Sequence, residues 1–225
     1  GITPPPGLYL SNQFLIYDAS TNVSVSLGGG TIGAEVNASP LIDIPTLLVV
    51  TEADVLGGDL GFSLTVPFGE FDVRAKVGPI SVEDSVFTFG DPSAGAFLGW
   101  HAGNIHIQAG VTGFIPIGDY REGAIANVAK HRLAADVYGA LTYFDPQGGI
   151  DFTNIIGVTF NAKNQVTNYR TGIEFHWEGS LTKKLTDQFS AGVVGYYYNQ
   201  LTGDSGSGAA LGNFKGEIAA IGLTA

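Results

Sequence analysis

The sequence predicts an all-β protein, an antiparallel transmembrane β-barrel of about twelve strands, some of them lying beyond this chain. Three observations carry that prediction. Apolar and polar residues alternate with period two over stretches much longer than an ordinary strand. Short turns and long polar loops take turns along the second half of the chain. Charged residues make up only 14% of the sequence, while glycine reaches 33 residues and aromatics 11%. An average soluble domain carries roughly 25% charged residues, so an ordinary water-facing exterior is hard to build from this composition.

Before residue 90 the alternation supports strands at 8–17, 46–53, 59–66, 70–77 and 80–89. At Gly69 the apolar parity switches from Phe62, Leu64 and Val66 to Phe71, Val73, Ala75 and Val77. Such a switch fits either a new strand or one extra residue in a bulged strand. Further on, Ile105, Ile107, Ala109, Val111, Ile115 and Ile117 oppose His106, Gln108, Gly110 and Thr112. The pattern repeats with Leu133, Ala135, Val137, Leu141 and Tyr143, and again with Ile150, Phe152, Ile156, Val158 and Phe160. In "YRTGIEFHWEGSL" it runs from Tyr169 to Leu181. Turns near 103–104, 145–149 and 183–187 alternate with loops at 118–131, 162–168 and 202–214, which is how outer-membrane barrels are wired. The loops at 118–132 and 202–214 are expected on one side, the extracellular one. All of this is expected to form a single barrel domain over residues 1–225.

An apolar face opposite a polar face suits a membrane barrel with the apolar side out, or a soluble sandwich or lipocalin with that side in. Strand length and aromatic residues near strand ends, such as Tyr143, Phe144, Tyr169, Trp177 and Tyr196 to Tyr198, favour the membrane barrel and its interfacial girdles. Ile105, Ile107, Val111, Val137, Val158, Ile173 and Phe175 are then expected to face lipid. Arg74, Lys76, Asp136, Asp151, Arg170, Glu174, His176 and Glu178 are expected to line the lumen, where opposite charges pair and hydrate.

The composition also excludes. With 10 basic and 21 acidic residues the net charge is −11, which repels nucleic-acid phosphates. There is no cysteine, so neither a disulfide framework nor a thiolate metal site can form. No apolar run approaches the roughly 20 residues of a membrane-spanning helix. The start "GITPPPG" has no signal-peptide features, so any such segment has been removed or lies outside this numbering. "GDSG" at 203–206 spells the surroundings of a serine nucleophile, but Ser205 sits among glycines with no partnered His and Asp in view, and a loop explains it better. The four histidines at 101, 106, 131 and 176 show no metal spacing. Glu174 and Glu178 share a face with Arg170 and His176, which suits a charge network more than acid–base work. "LGGG" at 27–30 lacks the Lys-Ser/Thr of a phosphate loop and reads as a turn. No enzyme and no cofactor is expected.

"PPPGLYL", "FLGWHAGNIH", "IPIGDYREG", "GVTFN", "NYRTGIEFH" and "QFSAGVVGYYYNQLTGDSGSGAALGNFKGE" resemble the outer-membrane proteins grouped as the phenol-degradation meta-pathway transporter family. The resemblance covers most of the chain from about residue 90 onward. It implies a Gram-negative outer-membrane barrel that transports small solutes, aromatic or hydrophobic ones among them, with outer-membrane lipids and lipopolysaccharide as neighbours. Family members continue past "FKGEIAAIG" into further strands, so strands beyond "IGLTA" are expected. Two other function classes stay open, a structural or surface-interaction barrel with a plugged lumen and an outer-membrane hydrolase.

Overall fold

The computed structural model describes residues 1–27, 30–210 and 212–225 and contains one antiparallel sheet of thirteen strands. These are β1 (Gly7–Ile16), β2 (Ala19–Leu27), β3 (Gly30–Val55), β4 (Gly58–Thr65), β5 (Phe68–Val77), β6 (Ile80–Phe89) and β7 (Ser93–Ala102). They continue with β8 (Ile105–Phe114), β9 (Ala134–Asp145), β10 (Ile150–Asn161), β11 (Glu174–Lys184), β12 (Ser190–Gln200) and β13 (Glu217–Thr224). From β7 to β13 each strand pairs with the next. The turn expected at "LGGG" falls on residues 28 and 29, outside the described residues. Among the described residues nothing pairs β13 with β1 or β2, and the sheet is open.

The strand that organises the first half is β3, 26 residues long, which the alternation before residue 46 does not reveal. One of its edges pairs with β1 and then β2, with no change of register across Tyr17 and Asp18. Its other edge pairs with β4 and then β5, again in unbroken register from Thr46↔Thr65 to Asp43↔Phe68. Pro67, which has no N–H to donate, interrupts the ladder there, and its carbonyl accepts the Gly90 N–H at 2.8 Å instead. Strands β6 and β7 are likewise end to end, with one extra residue at 90–92. Three pairs of strands are thus laid in line, and one end of this wall extends beyond the rest of the sheet.

Unbroken register answers the question raised at Gly69: a new strand begins, and no bulge moves the faces. Phe62 and Leu64 project from the same face as Glu70, Asp72, Arg74 and Lys76, while Phe71, Val73 and Ala75 project from the other. What changes is the polarity of each face. Along β4 the outward face is apolar, as it must be against hydrocarbon. Along β5 it is polar and the opposite face is apolar, with Val73 only 6% exposed, as in a soluble sheet. The phenylalanines Phe68, Phe87 and Phe89 cluster at the changeover, ring centroids 6.5 and 5.6 Å apart, on the outward face. That is the place of an interfacial aromatic girdle. The part of the wall built from β5, β6 and the adjoining end of β3 therefore stands clear of the apolar belt.

Arg74 and Lys76 are corrected by this geometry. Both lie on the outward face of the protruding wall, where Arg74 Nε pairs with Glu83 Oε1 at 2.7 Å with both side chains largely exposed. Their parity looked like a lumen parity only because the polar side of the wall changes at its aromatic boundary.

Candidate functional site

Two pieces of chain identify the sheltered face of the sheet. Thr3, near the short-turn end, is 4% exposed and its hydroxyl accepts a hydrogen bond from Gln108 Nε2 at 3.0 Å. At the opposite end the 115–133 segment folds over the same face, with the Ala126 N–H donating to Asp84 Oδ2 at 3.0 Å. The other face is apolar and open, with Ile107, Val111, Val137, Leu141, Phe152 and Ile156 all exposed. Polar groups are buried on one face and large apolar groups bared on the other, the reverse of a soluble sandwich.

Rows of polar side chains cross β9 to β12 on the sheltered face. Nearest the short turns, the hydroxyls of Thr142 and Thr153 meet at 2.9 Å, and Thr153 donates to Asp151 Oδ1 at 2.9 Å. In the middle, Asp136 Oδ2 accepts from Thr159 Oγ1 at 2.7 Å and from His176 Nε2 at 3.0 Å. The other ring nitrogen of His176 lies 3.7 Å from Glu178 Oε1. At the loop end, Asn161 Nδ2 donates to Glu174 Oε2 at 2.6 Å and to the Gly172 carbonyl at 2.9 Å. Its Oδ1 accepts from Arg132 Nε at 2.8 Å, and Tyr198 donates to Glu174 Oε1 at 2.6 Å. Charges are thus paired or hydrogen-bonded, as burial demands.

Of the predicted lumen residues, Asp136, His176 and Glu178 form one cluster, Glu174 anchors the next, and Asp151 stands with Thr153. Arg170 is in the loops: β11 starts at Glu174, not near Tyr169. Its Nε donates to the Asn161 carbonyl at 2.9 Å, and its backbone exchanges two 2.9 Å hydrogen bonds with Ser205. A Cβ on Gly172 would fall 1.7 Å from the Thr202 carbonyl oxygen, so a glycine lets the 162–173 and 201–216 loops close on each other. Asn161 escaped the sequence reading, although it continues the parity of Asp151 and Thr159 and could have been reached by extending it.

Both long loops leave the sheet at the same end, as expected from their spacing. The 115–133 loop is held by Arg121 Nη2, 3.1 Å from each carboxylate oxygen of Asp84, and by Asp91, which accepts the N–H of His131 at 2.7 Å. Tyr169 donates to Asp204, and burial together with that carboxylate pushes its phenol up to about 12. Crowding by protein pushes the Lys130 ammonium below the usual lysine range.

No nucleophile emerges from "GDSG". Ser205 takes part through its backbone, in a turn. We expect Ser205→Ala to leave folding and any conductance unchanged, and a fluorophosphonate probe to leave the wild-type protein unlabelled; stoichiometric labelling at Ser205 would restore the hydrolase reading. His101 and His106 face each other with Nδ1 atoms 2.6 Å apart, but among the described residues no group of three or more His, Asp or Glu is arranged to hold a metal.

The family model described as "Putative MetA-pathway of phenol degradation" matches residues 16–225. Among solved structures the chain is similar to an outer membrane channel from Pseudomonas putida F1, at 15% identity and a TM-score of 0.69, covering 92% of this chain and 77% of that one. No curated protein matches. The likeness to the solved channel concerns the fold, an all-β wall of the outer-membrane type.

Proposed function

The chain belongs to this phenol-degradation family and shares the fold of a solved outer membrane channel, and from that premise we propose that its sheltered face lines a passage for small solutes, aromatic or hydrophobic ones among them. The observation that carries the reading is the reversal of polarity: an apolar exterior belt backed by rows of paired charges. Asp136, Asp151, Glu174, His176 and Glu178 are then the lumen groups, and Arg170 stands at the mouth. Beside them, Ile155, Val194, Tyr196 and Ala220 wall a cleft of about 580 Å³ that also meets Glu178 and Ser180. A largely apolar wall edged by one carboxylate suits a ring or short alkyl group more than a sugar. The end bearing the long loops is the extracellular one, with lipid around the belt and lipopolysaccharide beyond the phenylalanine girdle.

Liposome swelling tests the reading. Proteoliposomes should swell in small aromatic solutes faster than in disaccharides of equal osmolarity. No swelling with any solute, from correctly folded protein, would leave a structural barrel as the better account. A second expected result concerns charge. Glu178 is more than half exposed and faces the passage, so Glu178→Lys should move the reversal potential in a salt gradient toward anion selectivity. An unchanged potential in a conducting variant would remove Glu178 from the ion path.

A further inference from the structure

One cavity lies apart from the polar rows, at the loop end. It measures about 350 Å³ and is lined by Tyr120, Lys130, Arg132, Asn164, Tyr169 and Thr171. No carboxylate lines it, which is unusual in a chain of net charge −11. Its two cations are not equally free. Arg132 is committed to Asn161 Oδ1 at 2.8 Å and to Glu174 Oε2 at 3.5 Å. The Lys130 ammonium has no hydrogen-bond or ion-pair partner among the described residues, while its own carbonyl is fixed by Asn164 Nδ2 at 3.2 Å. Lys130 is open to water, so a solute can reach its charge directly.

The aromatic walls are also held in place. The Tyr120 ring stacks on His131, centroids 4.9 Å apart and planes 13° from parallel. The Tyr169 hydroxyl is turned to Asp204, which leaves its ring to line the cavity. Asn164 Oδ1 accepts the N–H groups of Val166 and Thr167 at 2.9 and 3.2 Å, so the lining loop is pinned from within.

We propose that this cavity binds the carboxylate of a small organic anion, with Lys130 as its principal charge partner, Arg132 beside it, and the rings of Tyr120 and Tyr169 against the hydrocarbon part. One uncommitted positive charge matches a monoanion and falls short of a phosphate dianion. The cavity has room for a single ring and none for a lipid. The site deepens the channel reading by placing a selective contact where solute would enter, and it rests on that reading only for its place on the route.

Calorimetric titration of the folded protein in detergent tests it with three probes, benzoate, benzamide and inorganic phosphate. Benzoate should bind, with benzamide and phosphate each at least about tenfold weaker, because one lacks the charge and the other exceeds it. Lys130→Gln should weaken benzoate by at least about tenfold, and Lys130→Arg should restore it to within about threefold. Retention of the heat-modifiable folded band on gels shows that each variant is a barrel. Benzoate bound equally by wild type and Lys130→Gln, benzamide bound as well as benzoate, phosphate bound more tightly, or no binding at all would each overturn the site. Benzoate binding by a protein that supports no swelling would leave the site standing and remove the channel.

Discussion

Arg in place of Val137 or Ile107 will destabilise the protein in a bilayer by about 2 to 4 kcal/mol, while Arg in place of Ser85 will change stability by less than about 1 kcal/mol. All three positions project from the same outward surface. Val137 is 54% exposed and Ile107 47%, the first flanked on its outward parity by Ala135 and Gly139 and the second by Ile105 and Ala109. An Arg there must carry its charge into hydrocarbon or bend toward the interface, and the cost is greatest at the midplane. Ser85 lies beyond the phenylalanine girdle, opposite Asp72 in the register, so an Arg meets water and a carboxylate. Chemical unfolding from lipid vesicles gives the three values. Equal costs at Val137 and Ser85 would mean that the wall does not change solvent at Phe68, Phe87 and Phe89, and the assignment of its two parts would fall.

That boundary also separates what could be read in the sequence from what could not. From β7 onward the outward face keeps one polarity, so alternation gives the faces and most turns, and Ile107, Val137 and Ile156 lie where their parity puts them, although the run from Tyr169 begins before β11 does. In the first half the same outward face passes from lipid to water within one line of pairing. Apolar residues therefore change parity at Gly69 although the chain does not, and Arg74 and Lys76 are read onto the wrong face. The 26-residue β3 is hidden for the same reason, since Leu47 and Val49 belong to the lipid part and Asn37 and Ser39 to the water part. The site was legible in kind but not in membership. Strand parity brings Asp136, His176 and Glu178 together, because their spacing is local to paired strands. The Arg132–Asn161–Glu174–Tyr198 group depends on where loops return, and no local period encodes that. The 115–133 segment is tied to the inner face of the protruding wall at Asp84, the register partner of the buried Val73.

Asn161→Leu will cost about 3 kcal/mol, whereas Asn154→Leu, the same change on the same strand, will cost no more than about 1 kcal/mol. The two amides differ by face. Asn154 lies outward, opposite Leu141 and Gly179, and its side chain's only hydrogen bond among the described residues is the one it accepts from Trp177 Nε1 at 3.1 Å. Leucine there gives up that bond and removes an amide from the apolar belt, and the two effects largely offset. Asn161 is 3% exposed and joins Arg132, Glu174 and the Gly172 carbonyl. Leucine fills its volume but leaves a guanidinium N–H, a carboxylate oxygen and a carbonyl without their partner in a place where little water can replace it. Since Arg132 also lines the loop-end cavity, the loss should spread: proteolysis of the 162–173 and 201–216 loops should accelerate in Asn161→Leu and stay at the wild-type rate in Asn154→Leu. Equal unfolding midpoints for the two variants would show that the polar rows carry no more stability than a lipid-facing amide, and the sheltered face would lose its claim to be a fixed, fully paired wall.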